Sequence, residues 1–331
     1  MNKSLVYIVL GFLLLVGACK PEYTYNPDSA SLMFATDTLS FDTIFTGEST
    51  PTTHLALYNK SDEDLFIDRI WLSGGDNSSY NVNINGTNAT SVEQVRLPKR
   101  DSLWIFVNIC PMETADVEPY VVEDVVNVTS GSHTISSRLI AYAQNVNRLN
   151  ESHVGGQTWS SQRPYLLSGT NIVDSAQTLT ISEGTKVYFE EGASLQVYGN
   201  IVVTGSVRRR VIFKGVRNDE FYDDIPGQWS SITFMPGSKN NYISYSDIAC
   251  AKYGIQADSA SSVDIENVVI RDASYGAILA YGADVSIYTS ILYNCGGALV
   301  AAYGGNTKLV LCKIKAIIQT DLIQGVGCHR V

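Results

Sequence analysis

Residues 241–262 read NYISYSDIACAKYGIQADSASS, and VDIENVVIRDASYGAILAYGAD follows at 263–284, VSIYTSILYNCGGALVAAYGGN at 285–306 and TKLVLCKIK at 307–315. Set one under another, these lines place Ile243, Ile265, Ile287 and Leu309 in one column and Ile248, Ile270, Leu292 and Ile314 in a second. A third column takes Ile255, Ala277 and Leu299, with Ala257, Leu279 and Ala301 two residues further on. Turns share the period: Tyr253-Gly254 is matched by Tyr275-Gly276, and Gly297-Ala298 stands at the next equivalent place. Three apolar columns with one period of 22 mean that like residues stack coil on coil, about 4.8 Å apart, the spacing of neighbouring strands. An amphipathic helix needs apolar residues at i, i+3, i+4 and i+7 within each unit, which these Gly-punctuated, β-branched lines lack. The expectation is a right-handed parallel β-helix.

Upstream the pattern is looser. Short apolar segments at Leu179-Thr180-Ile181, Val187-Tyr188-Phe189, Leu195-Gln196-Val197, Ile201-Val202-Val203 and Val211-Ile212-Phe213 are separated by Glu183-Gly184, Glu191-Gly192, Gly199-Asn200 and Gly205. An irregular stretch, Gly215 to Gln228, interrupts before Ile232-Thr233-Phe234 resumes. The expected β-helix therefore spans 167–314, about six or seven coils, after a linker at 147–166 and before an irregular tail at 315–331. A helix that stops without a cap leaves an open strand ladder. The end is accordingly expected to be truncated or covered by a partner.

From Leu32 to Val146 the pattern changes to period two. Leu55 to Tyr58, Leu65 to Ile70, Tyr80 to Ile84, Leu103 to Ile109, Val121 to Val128 and Ile135 to Tyr142 alternate, with Gly, Asn, Asp and Ser clusters between them. Short strands at such intervals describe an antiparallel β-sandwich, here 32–146, so the whole chain is expected to be all-β. Trp71 and Trp104 are read as core aromatics, and His54 and His133 as strand residues facing solvent.

The first residues carry an address. Lys3 precedes the apolar run Leu5 to Val16, which is too short to span a bilayer, and Gly17-Ala18-Cys19 follows at once. Leu15 to Cys19 resembles a bacterial lipobox. The resemblance implies a signal peptide at 1–18, a lipidated Cys19, a tether at 19–31 and an exported protein held to the cell envelope, at the outer membrane, by acyl chains. Removing residues 1–18 takes one lysine and no acid, so 22 basic residues face 33 acidic ones in the mature chain. That acidity excludes a nucleic-acid groove or a polybasic membrane surface. The remaining cysteines, Cys110, Cys250, Cys295, Cys312 and Cys328, form no Cys-x-x-Cys, and the four histidines are scattered. No metal or other cofactor is implied, and the cysteines read as small buried apolar residues.

Two further resemblances bear on family. Phe34, Asp37-Thr38-Leu39, Phe41 to Thr46 and Leu57-Tyr58-Asn59 resemble the immunoglobulin-like, Hydin-type domains of Bacteroidetes surface lipoproteins. Leu179 to Phe189, with Pro226-Gly227-Gln228-Trp229, Ile232 and Phe234, resembles Bacteroidetes β-helix lipoproteins, whose pectin-lyase-like fold also hosts polysaccharide lyases and glycosidases. Asp28-Ser29-Ala30, Asp37-Thr38-Leu39, Asp42-Thr43-Ile44 and Asp101-Ser102-Leu103 resemble the O-glycosylation sites of exported Bacteroidetes proteins.

A polysaccharide-active site needs two or three carboxylates, or an acidic Ca²⁺ cluster with a base, on adjacent coils of one face. On the 22-residue period Asp272 stacks with Cys250 and Asn294, Asp258 with Ala280 and Ala302, and Glu266 with Ser244 and Tyr288, so no carboxylate stacks on a second. The interrupting stretch concentrates acid at Asp219-Glu220 and Asp223-Asp224, a solvated loop or a place where Asp223 and Asp224 take a ligand. Arg208-Arg209-Arg210 reads as a turn with a solvated face. Tyr281, Tyr288, Tyr293 and Tyr303 are the rings able to stack on a sugar or on an envelope protein, unless they only pack over the next coil. The expected function is that of a non-catalytic binding or structural module; the alternative is a lyase or glycoside hydrolase.

Overall fold

The computed structural model describes residues 32–217 and 222–315. The expected signal peptide, Cys19, the tether, Asp219, Glu220, Cys328 and the tail beyond Lys315 lie outside the described residues. The chain divides into two units, one of Met1–Met112 with Val121–Tyr142 and one of Glu113–Tyr120 with Ala143–Val331.

The first unit is a pair of five-stranded sheets. Its strands are β1 (Leu32–Phe34), β2 (Thr38–Phe45), β3 (Thr53–Asn59), β4 (Leu65–Leu72), β5 (Tyr80–Ile84), β6 (Thr87–Asn88), β7 (Ser91–Leu97), β8 (Ser102–Ile109), β9 (Tyr120–Ser130) and β10 (His133–Gln144). One sheet runs β1-β3-β8-β5-β6 and the other β2-β10-β9-β4-β7. Alternation sends Leu55 and Leu57, Ile105 and Val107, and Val126 and Val128 into one core, and a break of step in β4 adds both Ile67 and Ile70, each at most 1% exposed. Each such side chain contributes about 1.5–3 kcal/mol by leaving water.

Two expectations for this unit change. Residues 113–120 group with the second unit, where Asn145 donates from Nδ2 to the carbonyls of Asp116 (2.7 Å) and Thr114 (3.1 Å). Neither Trp104 nor Trp71 is a core residue: in β4 Trp71 lies between the inward Ile70 and Leu72, partly buried, with Arg69 over its ring at 5.1 Å. In β8 the inward set is Leu103, Ile105, Val107 and Ile109, so Trp104 and Phe106 point outward and are 48% and 41% exposed.

The second unit is a parallel β-helix with three faces. The first sheet holds eight strands, from Asn147–Asn150 through Val211–Gly215, Ser246–Ala249 and Ile291–Tyr293 to Lys313–Lys315. The second includes Thr178–Ser182, Asn200–Thr204, Asn241–Ser244 and Ser262–Glu266; the third includes Thr170–Val173, Ser194–Val197, Ile232–Phe234 and Tyr253–Ala257. These two join where the strands Gly276–Tyr288 and Val300–Val310 run through a corner. The expected linker 147–166 is thus the first coil: Asn147 to Asn150 pair in parallel with Tyr165 to Ser168, and Thr158-Trp159 with Thr180-Ile181. That early start yields one coil per strand of the first sheet, eight rather than six or seven.

The backbone explains the period. Residues in the left-handed region recur every 22 positions in three columns: Tyr245, Asn267, Thr289 and Leu311; Cys250, Asp272 and Asn294; Ala260, Gly282 and Gly304. Each turns the chain sharply between strands, at about 1–2 kcal/mol where the residue is not glycine. Side-chain bonds between coils offset part of this, as where Thr289 Oγ1 donates to Asn267 Oδ1 (2.8 Å) and Asn306 Nδ2 to Asp284 Oδ1 (2.9 Å).

Two of the three apolar columns stand as expected. Ile243, Ile265, Ile287 and Leu309 pair in turn, as do Ile248, Ile270, Leu292 and Ile314. The third is displaced by one residue. Ile255 pairs with Ile278 and then Val300, and Ala257 with Ala280 and Ala302. Four residues, Asp272 to Tyr275, fill a corner that takes three, Cys250 to Lys252, on the coil before. The next corner compensates, with three residues (Tyr281 to Ala283) where the earlier coil has four (Asp258 to Ser261). Asp258 therefore lies one position away from the column of Ala280 and Ala302.

Candidate functional site

Two places on the β-helix gather residues capable of chemistry. The first lies where the interrupting stretch folds back on the first sheet. Gly215 leaves room for this close approach, since a Cβ there would stand 2.2 Å from Gln228 Oε1. Gln228 Nε2 donates to the carbonyls of Tyr222 (2.6 Å) and Ile225 (2.9 Å), and the amides of Gln228 and Gly227 donate to Cys250 O (2.8 Å) and Ala251 O (3.1 Å).

The fold-back brings Asp223 and Asp224 to coil residues 9 to 48 positions away in sequence. Asp223 pairs with Lys214 and stands 4.0 Å from Arg271; Asp224 pairs with Arg271 at 3.0 Å. Arg271 also pairs with Asp272, which in turn accepts a bond from Asn294. The Lys214 ammonium, through its hydrogen bond, holds the Asp223 carboxyl below the usual carboxylate range. Cys250 lies beneath, wholly buried, its Sγ donating to Asp223 O (3.1 Å); burial, and next the Asp272 charge, push its thiol up to about 11. Three carboxylates and two cations thus neutralise most of one another's charge. A general acid or base needs a carboxyl with a site for a reacting atom beside it, whereas Asp272 has only 3% of its side chain exposed.

The paired strand positions repeat this result. Glu266 stands between Ser244 and Tyr288, Asp264 between Tyr242 and Ser286, and Asp284 between Ser262 and Asn306. Among the described residues no group of three or more His, Cys, Asp or Glu side chains is arranged to hold a metal ion. The arginine turn is more than a solvated face: Arg210 reaches Asp247 Oδ1 (2.8 Å) and the carbonyls of Ser246 (2.6 Å) and Asn267 (3.0 Å), tying three coils together.

The second place is aromatic. Tyr281 and Tyr303 pair on neighbouring coils and stack at 5.1 Å and 15°, with 47% and 62% of their surface exposed. Tyr253 and Tyr275 lie 5.4 Å apart at 36°. All four share one neighbourhood: the Tyr253 phenol is shifted upward by burial first and then by Tyr281, Tyr275 and Tyr303. The other two expected tyrosines lie elsewhere. Tyr288 is on the second sheet with Lys308 over its ring at 5.5 Å, and Tyr293 is on the first beside Arg271, Asp272 and Asp224.

Sequence reasoning thus named Tyr281 and Tyr303 but missed Tyr253 and Tyr275, which it took for turn residues. The signal was present in the Tyr-Gly repeat; what hid it was the extra residue at Asp272 to Tyr275, which turns Tyr275 outward. It likewise missed Lys214, Arg271 and Asp272 as partners of Asp223 and Asp224, because no period links a loop to the coils it covers.

Residues 230–319 match the family described as "Right handed beta helix region". No curated protein matches the chain. Solved structures similar to part of it include a family 123 glycoside hydrolase from Clostridium perfringens (8% identity over 34% of this chain and 25% of that one, TM-score 0.25). Others are the E. coli chaperone DraB (11%, 34% and 54%, TM-score 0.22) and a protein of unknown function from Porphyromonas gingivalis W83 (13%, 38% and 60%, TM-score 0.25). The chain spans less than two thirds of the length of each of these three.

Proposed function

We propose that this protein is a lipid-anchored, non-catalytic binding module of the cell envelope whose β-helix presents the tyrosines around Tyr281 and Tyr303 to a glycan. The observation that carries the reading is the exposed, coil-to-coil stack of Tyr281 on Tyr303. Two parallel rings one strand spacing apart make a flat apolar strip onto which the C–H face of a sugar can stack. Among the described residues no strand-paired position stacks one carboxylate on another, which supports binding over hydrolysis, and the gathered carboxylates, Asp223, Asp224 and Asp272, are held by Lys214 and Arg271.

A glycan array probed with the full chain tests this. Tyr281→Ala and Tyr303→Ala should each lower affinity for the captured glycan about tenfold, roughly the 1.4 kcal/mol of one good aromatic contact, while Tyr288→Ala leaves it unchanged. A chain that captures no glycan, or whose capture ignores both substitutions, overturns the assignment. Incubation with uronic-acid polymers, with and without Ca²⁺, serves the enzymatic alternative; release of unsaturated or reducing ends establishes it. Anchoring through Cys19 is tested by palmitate labelling in the producing cell, which Cys19→Ser should abolish.

A further inference from the structure

The sandwich carries a second surface that the β-helix reading does not use. The outward positions of β3, β5 and β8 hold no permanently charged side chain. They present His54, Tyr58, Trp104 and Phe106, with Asn81, Asn83 and Asn108, in a chain that has 56 Asp, Glu, Lys and Arg residues (33 acidic plus 23 basic). The other sheet behaves as a solvated face should: Arg69 pairs with Glu93 across strands, Arg96 lies 2.5 Å from Asp64, and Arg138 lies 3.2 Å from Glu123. Off these three strands, Lys60 stands over the Tyr58 ring at 4.5 Å and Asp76 is among the residues that line the hollow described next.

Two features of the uncharged face are built for a ligand. His54 and Trp104 stack at 4.2 Å and 10°, and the Phe106 ring lies 6.3 Å from Trp104. A large, half-exposed indole fixed flat against a neighbour is a preformed apolar surface. Beside it an open hollow of about 770 Å³ is lined by Asn81, Asn83, Asn88, Asn108, Thr52 and Phe106 among others. Its amides are tied in pairs, Asn81 Nδ2 to Asn108 Oδ1 (3.0 Å) and Asn83 Nδ2 to Asn88 Oδ1 (2.6 Å). An amide side chain has two donors and two acceptor lone pairs, and each pair uses one of each kind. The chemistry is that of fixed planar rings next to oriented amides, with one carboxylate, Asp76, in the lining of the hollow and Met33 exposed beside Tyr58. Protein interfaces are also aromatic and poor in charge, so it is the oriented amides beside the rings that favour a sugar: a pyranose offers an apolar C–H side for the rings and hydroxyl groups for the amides.

We infer that this face binds a neutral oligosaccharide, its sugar rings stacked on Trp104 and Phe106 and its hydroxyl groups held by the asparagines of the hollow. The site is separate from the Tyr281 and Tyr303 stack and stands or falls apart from it.

The full chain is titrated calorimetrically with cellohexaose, xylohexaose, mannohexaose and laminarihexaose, and with hexagalacturonate as the acidic counterpart. At least one neutral hexaose should bind in the micromolar to millimolar range and change the emission of Trp104. Trp104→Ala should weaken it at least tenfold, Trp104→Tyr should restore part of the loss, and Asn83→Ala with Asn108→Ala should weaken it comparably. Tyr281→Ala with Tyr303→Ala should leave this binding intact, which separates failure here from failure at the β-helix. The thermal transition of each variant verifies folding; should Trp104→Ala not fold, the asparagine pair and the Trp104 emission of the unaltered chain decide. No binding by any neutral hexaose, binding indifferent to both sets of substitutions, or hexagalacturonate binding as tightly as the neutral sugars would overturn the inference.

Discussion

Replacing Ile278 and Leu279 in turn by glutamine tests the displaced third column directly. On a strict 22-residue period Leu279 would point inward and Ile278 outward. The pairing of Ile255 with Ile278 reverses that, leaving Ile278 0% exposed in the core with Ile255, Ala280 and Val300, and Leu279 on the outer side beside Gln256 of the preceding coil, 8% exposed under its neighbours. Ile278→Gln removes the apolar contribution of a fully buried side chain, about 1.5–3 kcal/mol, and buries an amide without a partner, about 1–3 kcal/mol more. The total is about 2.5–6 kcal/mol, comparable at its upper end with the whole stability of many domains. Leu279→Gln loses the burial of a side chain that is 8% exposed, about 1.5–3 kcal/mol, but sets its amide beside Gln256 of the preceding coil, so it escapes the further cost of an unpartnered amide. Native-state hydrogen exchange with mass spectrometry, at rising urea, reads peptides over 243–288 separately from those of the sandwich. Equal losses, or a larger loss for Leu279→Gln, would refute both the register and the reasoning behind it.

Two other outcomes follow from the fold-back over the first sheet. The Lys214 ammonium depresses the Asp223 carboxyl, so the clamp contributes fully above the carboxylate's unfolded value of about 3.9 and is lost as pH falls through the lower folded value; exchange at the Gly227 and Gln228 amides, corrected for intrinsic rate, should be steady from pH 7 to 5 and rise in that acid range, and Asp223→Asn should flatten the dependence. Cys250 and Cys295 are buried, and burial raises both thiols, so iodoacetamide at pH 8 should leave them unlabelled in native protein and label them in urea, as peptide mapping would show; labelling of native Cys250 would mean that residues 222–228 do not cover it.

How much was legible beforehand differs between the two units for a physical reason. Left-handed corner residues at equal intervals force equal coils, and equal coils put Ile243, Ile265 and Ile287 in line, so the β-helix was written in the period itself. In the sandwich, β8 reads Leu103-Trp104-Ile105-Phe106-Val107, apolar at every position, and alternation cannot say which half faces inward. Only the opposite sheet decides, by covering Ile105 and Val107 and leaving Trp104 and Phe106 to solvent. The tyrosine group sits between these cases, since its residues share the period but one inserted residue rotates Tyr275 out of it.

The sequence by itself determined that the chain is all-β, that its second half stacks in coils of 22, and that no carboxylate of the regular coils lies above another. These are local or periodic properties, and every repeat of the chain restates them. Tertiary structure alone decided the one-residue displacement of the third sheet, the capture of Asp223 and Asp224 by Lys214 and Arg271, the meeting of four tyrosines, and the uncharged aromatic face of the sandwich. Each of those depends on which distant segment closes against which, a choice made by packing and charge across the fold rather than by the order of residues within one coil.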